Sequence, residues 1–102
     1  MRILTFNDKD YELKFRPKDI NYFEKLVKKP LGRVIGNIPT VEDTACLLMA
    51  GTDKQIKSID EAFDMFEQFD GGYILLLEEI NAEIEATGWL GTAQAQERNS
   101  KN

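Results

Sequence analysis

The sequence predicts an α+β domain: an N-terminal β-hairpin packed against about four α-helices, followed by a disordered C-terminal tail. Three observations predict it. Tyr11-Glu12-Leu13-Lys14-Phe15-Arg16 alternates apolar and charged residues strictly, just after the strand-forming run Arg2-Ile3-Leu4-Thr5-Phe6, and a period of two marks half-buried strands. From Pro17 to Thr87 the apolar residues recur at helical spacing. Gly91 to Asn102 holds no apolar residue larger than alanine and is rich in Gln, Asn and Ser, a composition that cannot bury enough surface to order itself. A chain of 102 residues has room for one core, so the expected domain is 1–90 and the tail 91–102.

Asn7-Asp8-Lys9-Asp10 joins the two strands, since Asn and Asp tolerate the left-handed backbone of tight turns. Leu4 and Phe6 then face Tyr11, Leu13 and Phe15. Pro17 or Lys18 opens a first helix with Ile20, Phe23, Leu26 and Val27 inward and Lys18, Asp19, Glu24, Lys25 and Lys28 outward; Pro30 closes it. Leu31 to Ile38 reads as an apolar connector or a short irregular helix. Thr40 caps a second helix running to Met49, with Glu42 and Asp43 favouring its positive end and Val41, Ala45, Leu48 and Met49 as its stripe. Gly51 ends it, and Thr52 to Lys57 is a polar loop. Ser58 and Glu61 form a capping box for a third helix with Ile59, Ala62, Phe63, Phe66 and Phe69 inward. Asp70-Gly71-Gly72 breaks that helix, and a fourth runs from Tyr73 to Thr87. Tyr73, Leu77, Ile80 and Ile84 make its seam, Leu75 and Leu76 widen it, and Glu78, Glu79, Glu83 and Glu85 face out. Gly88 suits its C-cap.

Composition narrows the chemistry. There is no histidine and one cysteine, so Ser-His-Asp and Cys-His catalysis, a conventional zinc site and an internal disulfide are excluded. Acid–base work by carboxylates alone is a weak third possibility, because such groups need a cleft and raised pKa values. The net charge of −5 is unevenly spread: residues 1–38 carry nine basic and five acidic side chains, and residues 39–102 four basic and thirteen acidic. Two oppositely charged ends suit head-to-tail contacts between copies or docking on a complementary partner; the alternative is two solvated faces. A nucleic-acid duplex is excluded as partner by the acidic excess. No apolar run approaches the ~20 residues of a membrane span, and Met1 to Phe6 lacks the apolar stretch of a signal peptide, which places the protein in the cytoplasm.

Each candidate site has a plainer reading. Placing Gly72 as the glycine of an EF-hand loop puts Glu67, Phe69 and Gly71 where oxygen ligands belong, and two of the three offer none through a side chain; this is a helix–helix turn. Gly32-x-x-x-Gly36 lacks the Lys-Ser/Thr of a phosphate loop. Cys46 falls in an apolar sector, as a buried small hydrophobe does. Glu79 and Glu83 share a helix face at i,i+4, a docking surface more than a catalytic pair. Trp89-Leu90, between Gly88 and Gly91, either seals the end of the core, which is favoured, or anchors a partner. Lys18, Lys25, Lys28, Lys29 and Arg33 form the basic counterpart. The partner-binding candidates are therefore Lys25, Lys28, Arg33, Glu78, Glu79, Glu83, Trp89 and Leu90; no cofactor or metal is expected.

The order of these elements resembles the tail assembly chaperones of long-tailed bacteriophages and prophages of Gram-positive bacteria. The resemblance lies in the hairpin from Leu4 to Phe15, the helix from Ile20 to Val27, the helical segment ending Leu47-Leu48-Met49-Ala50-Gly51 and the acidic helix from Ser58 to Phe69. It spans roughly residues 1–88. It implies a non-enzymatic protein that binds the tape-measure protein in the bacterial cytoplasm, keeps it soluble, helps the tail tube protein assemble around it and is absent from the finished virion. It also implies no catalytic residue, and a longer frameshifted product diverging near Gly91. The competing reading is an acidic DNA mimic that inhibits a host nucleic-acid enzyme, motivated by the carboxylates repeated along the last two helices.

Overall fold

The computed structural model describes residues 2–36 and 39–87. Strands β1 (Arg2–Phe6) and β2 (Lys9–Leu13) form an antiparallel hairpin, then come α1 (Pro17–Val27), α2 (Leu31–Gly36), α3 (Val41–Gly51), α4 (Ile59–Gln68) and α5 (Gly72–Ala86). This is the predicted α+β order, with the segment after Pro30 resolved as a fifth, short helix. The expected tail and Gly88 lie outside the described residues.

The hairpin is tighter than the sequence suggested. Asn7 and Asp8 alone make the turn, with φ of 51° and 62°, the left-handed pair that matches strand twist. Lys9 and Asp10 therefore join the ladder, and Thr5 Oγ1 donates to Asp10 Oδ1 across it at 2.7 Å. Leu4 pairs with Tyr11 and Arg2 with Leu13, so Leu4, Phe6, Tyr11 and Leu13 share the covered face. The second strand stops at Leu13, not Arg16, because Leu13 already lies opposite the first residue of β1. The Lys14 amide donates instead to the Gly51 carbonyl at 2.9 Å, and Phe15 stays buried.

Helix α1 begins at Pro17, whose missing amide costs nothing at a helix start. Asp19, expected outward, is buried. Its carboxylate accepts the Arg16 amide at 3.0 Å and the Arg16 guanidinium at 2.8 and 3.1 Å, and the same guanidinium reaches Asp53 beyond α3 at 3.1 Å. Leu26, expected inward, is exposed, while Phe23 is fully buried. Lys28 ends the helix at φ 59°. Glu24 turns from its outward position so that its carboxylate accepts the Leu31 amide at 2.8 Å, which satisfies the start of α2.

Helix α3 departs furthest from expectation. Every residue from Asp43 to Gly51 is buried, because Thr44 to Gly51 contains no charged residue and a helix apolar all round must be covered all round. Helices α1, α4 and α5 and strand β2 pack on it. Val41, assigned to its stripe, is instead half exposed. Thr40 caps it by accepting the Asp43 amide at 3.0 Å. It runs through Gly51, where a Cβ would lie 2.6 Å from Phe15 Cζ and 2.7 Å from Leu13 Cδ1; only glycine lets the hairpin seat there. Ile56, within the segment read as a polar loop, is also buried.

Ser58 caps α4 by accepting the Glu61 amide at 3.1 Å, but Glu61 reaches back to the Lys57 amide at 2.9 Å, not to Ser58. Ala62, Met65 and Phe66 are its buried face. Gly71 and Gly72, at φ 102° and 83°, turn the chain into α5. The seam of α5 lies around Leu76, Ile80 and Ile84, with Leu77 only half-buried; Leu75, expected to widen it, and Ile74 face solvent.

Two outcomes are expected. Gly51→Ala should lower unfolding stability in urea by about 1–3 kcal/mol, the usual effect of forcing a methyl into a packed contact. Burial alone would raise the Asp19 carboxyl, but the Arg16 guanidinium and amide overcome it and hold the group below the ordinary carboxylate range. The stabilisation from a lowered carboxylate is present above its unfolded value near ~3.9 and is lost as pH falls through the folded value. Asp19→Asn should therefore be less stable than wild type at pH ~7, and the difference should shrink in urea titrations taken below pH ~4.

Candidate docking surface

Where α3 begins, α4 and α5 leave an open groove of about 370 Å³, lined by Val41, Phe63, Phe66, Glu67 and Tyr73. The sequence builds it locally. Phe63 and Phe66 stand three apart on α4, so their rings neighbour one another, with centroids 5.9 Å apart. The glycine turn then delivers Tyr73 edge-on to Phe66 at 4.9 Å and 77°, a favoured aromatic geometry. The Tyr73 hydroxyl is hydrogen-bonded to Thr44 Oγ1 at 2.9 Å, and Thr44 Oγ1 donates to the Thr40 carbonyl at 3.0 Å, so the wall is tied to α3. Val41, in the lining, is 51% exposed, and Ile74 and Leu75, the two residues after Tyr73 on α5, are 64% and 39% exposed.

The residues singled out from the sequence do not form one site. Lys25 and Lys28 are exposed at the end of α1 and Arg33 is exposed on α2. Lys29 pairs with Asp43 at 3.2 Å. Of the acidic set, Glu78 is exposed, as expected. Glu79 is only half exposed and pairs with Arg2 at 2.8 Å. Glu83 is buried, 6% exposed, because it falls on the same side of α5 as Leu76, Ile80 and Ile84; the outward Glu79–Glu83 pair therefore does not exist. Trp89 and Leu90 lie outside the described residues.

Other features settle into the fold. Cys46 is buried, and burial, with the nearby Glu42 and Asp43 charges, pushes its thiol up, away from the thiolate a nucleophile needs. Only Phe69, Asp70 and Gly71 separate α4 from α5, too few for a calcium loop. Gly32 and Gly36 lie inside α2, where there is no phosphate-cradling turn. A second cleft, of about 330 Å³, lies between the hairpin and α4, with Phe6 and Tyr11 on one side and Gln55, Lys57, Glu61 and Asp64 on the other; Glu61 is engaged by the Lys57 amide and Lys9 lies over the Tyr11 ring at 5.0 Å. Among the described residues no three His, Cys, Asp or Glu side chains are grouped to hold a metal ion, and no helix is long and apolar enough to cross a membrane.

The groove went unread in the sequence, although a signal for its edge was there. Tyr73-Ile74-Leu75-Leu76-Leu77 is five apolar residues in a row, and at about 100° per residue no single face of a helix can bury five consecutive positions. Once Leu76, Ile80 and Ile84 take the seam, Ile74 and Leu75 must point away. Ile74→Ser with Leu75→Ser should accordingly change stability by no more than about 0.5 kcal/mol while reducing the fluorescence of a hydrophobic dye bound to the native protein. Leu76→Ala, by contrast, should cost about 2–5 kcal/mol in urea unfolding. Compared with protein-family models, with curated proteins and with solved structures, the chain has no match, so its role is to be read from this surface.

Proposed function

We propose that the protein is a non-enzymatic tail assembly chaperone of a long-tailed phage or prophage, which holds the tape-measure protein soluble in the host cytoplasm, promotes assembly of the tail tube protein around it and leaves before the particle is complete. The order of elements supports this, with a hairpin followed by helices as in the family the sequence resembles. The observation that carries it is the aromatic groove where α3, α4 and α5 meet, with Ile74 and Leu75 exposed directly after Tyr73 in the chain. A tape-measure protein is long, helical and apolar along its length, and such a helix needs a surface that covers its stripe until its own partners arrive. A groove walled by rings that are already fixed loses little side-chain freedom on binding. The opposite charges of α1–α2 and α4–α5 leave room for copies to follow one another along a long client.

The DNA-mimic reading fits this surface less well. A mimic works through free carboxylates set out like phosphates, whereas Glu79 is paired with Arg2, Glu61 caps a loop amide and Glu83 is buried. The outward face of α5 opens with Ile74 and Leu75 instead.

The two readings separate in an affinity pull-down from cells expressing the whole phage or prophage gene set, at low and at high salt. The expected result is recovery of a very long helix-rich phage protein that otherwise precipitates, retained at high salt because apolar contact is not screened, and lost with the Ile74→Ser, Leu75→Ser variant. Recovery of a basic nuclease or polymerase that high salt releases would overturn the chaperone reading in favour of the mimic.

A further inference from the structure

The charge in the groove's lining is negative, and acids follow close along the chain from its other lining residues. Glu67 lines it, Glu42 follows Val41, Asp70 sits in the turn before Tyr73, and Glu78 lies one helical turn beyond Ile74; all four are exposed. Between Ser58 and Thr87 the chain carries nine carboxylates and not one Lys or Arg. Arg2 pairs with Glu79, Lys29 with Asp43, and Arg16 with Asp19 and Asp53, whereas Glu67 and Glu78 stay exposed. Apolar surface and exposed negative charge thus occur together at this end of the molecule.

We infer that the groove takes a basic amphipathic helix, one whose apolar stripe recurs at i, i+3, i+4 and i+7 and is flanked by Lys or Arg. The stripe enters against Phe63, Phe66 and Tyr73, as helix-in-groove recognition requires. The flanking cations meet Glu42, Glu67 and Glu78, which steers the encounter and fixes the register. A helix with acidic flanks brings like charges together, which disfavours it. This deepens the chaperone reading and rests on it only for the helical nature of the client. It narrows the client to those of its segments that carry basic flanks.

The test uses synthetic helices and needs no phage protein, so it can fail or succeed separately from the pull-down. Three 18-residue peptides are titrated into isotope-labelled full-length protein by NMR: a Leu stripe with Lys flanks, the same stripe with Glu flanks, and a scrambled version of the Lys peptide. The Lys-flanked helix is expected to bind, with shifts centred on Val41, Phe63, Phe66, Tyr73 and Ile74. The other two should bind at least about tenfold more weakly, the scale of losing one central contact. Ile74→Ser should weaken the Lys-flanked helix, and Glu67→Lys should weaken it while strengthening the Glu-flanked one; both positions are exposed, so neither variant endangers the fold. Equal binding of the scrambled peptide would reduce the effect to charge, and equal binding of the Glu-flanked peptide would reduce it to apolar contact; either overturns the inference. So would shifts confined to α1, or concentration-dependent shifts of the groove residues without peptide, which would make a second copy the occupant.

Discussion

The constraint on which the rest of the structure depends is the burial of α3 on every side from Asp43 to Gly51. Its segment from Thr44 to Gly51 offers no charged side chain to solvent, so each side of it needs a neighbour, and the chain supplies α1, α4, α5 and β2. Burying a helix all round is tolerable only if its polar groups are satisfied. Thr44 Oγ1 is bonded to the Thr40 carbonyl and to Tyr73, and Thr52 Oγ1 donates to the Leu48 carbonyl at 2.6 Å. Where α3 has no side chain at all, at Gly51, Leu13 and Phe15 fill the space and Lys14 adds a backbone hydrogen bond. A two-stranded hairpin is marginal alone in water; this one is held by the last turn of the central helix.

Once α3 takes the inner faces of α1, α4 and α5, those helices have one face left for solvent, and charges sort by position in the chain. The basic residues of α1 and α2 and the acidic residues of α4 and α5 are carried on separate elements. The Arg16 and Lys29 ion pairs work at joints. Arg16 ties the start of α1 to its own first turn and to the loop after α3, and Lys29 ties the α1–α2 connection to the start of α3. In the Asp19 and Asp43 pairs the carboxylate is buried, so each pair also fixes where its connection runs.

Much of this fold was legible because it follows from period and local chemistry. The alternation around Leu13, the Thr40 and Ser58 caps and the glycine turn at Gly71-Gly72 depend on neighbours within a few residues. What could not be read depends on partners far along the chain. Asp19 looks like a surface residue until Arg16 folds over it, and Glu83 looks outward until Leu76, Ile80 and Ile84 set the seam of α5. Glu79 looks like half of an acidic pair until Arg2, at the other end of the described chain, reaches it. The candidate site divides in the same way: charge asymmetry was visible in composition, whereas the groove needs α3, α4 and α5 to meet.

Folding accounts for the groove's aromatic wall, but not for the apolar residues exposed after it. Buried apolar residues are forced by the core, but Ile74 and Leu75 lie outside it, and a polar helix former at either position would keep the helix with nearly the same propensity and improve solubility. Val41 poses the same question at the start of α3, one residue after a cap that works whatever follows it. Val41 lines the groove with an aromatic wall that is already internally packed, Phe63 on Phe66 and Phe66 on Tyr73, so no refolding is needed for that wall to meet an apolar ligand. A fold that buries its central helix on every side and yet leaves an apolar strip at one end has a surface that its own stability does not require. Such a strip is understandable where a second apolar helix spends part of its time against it.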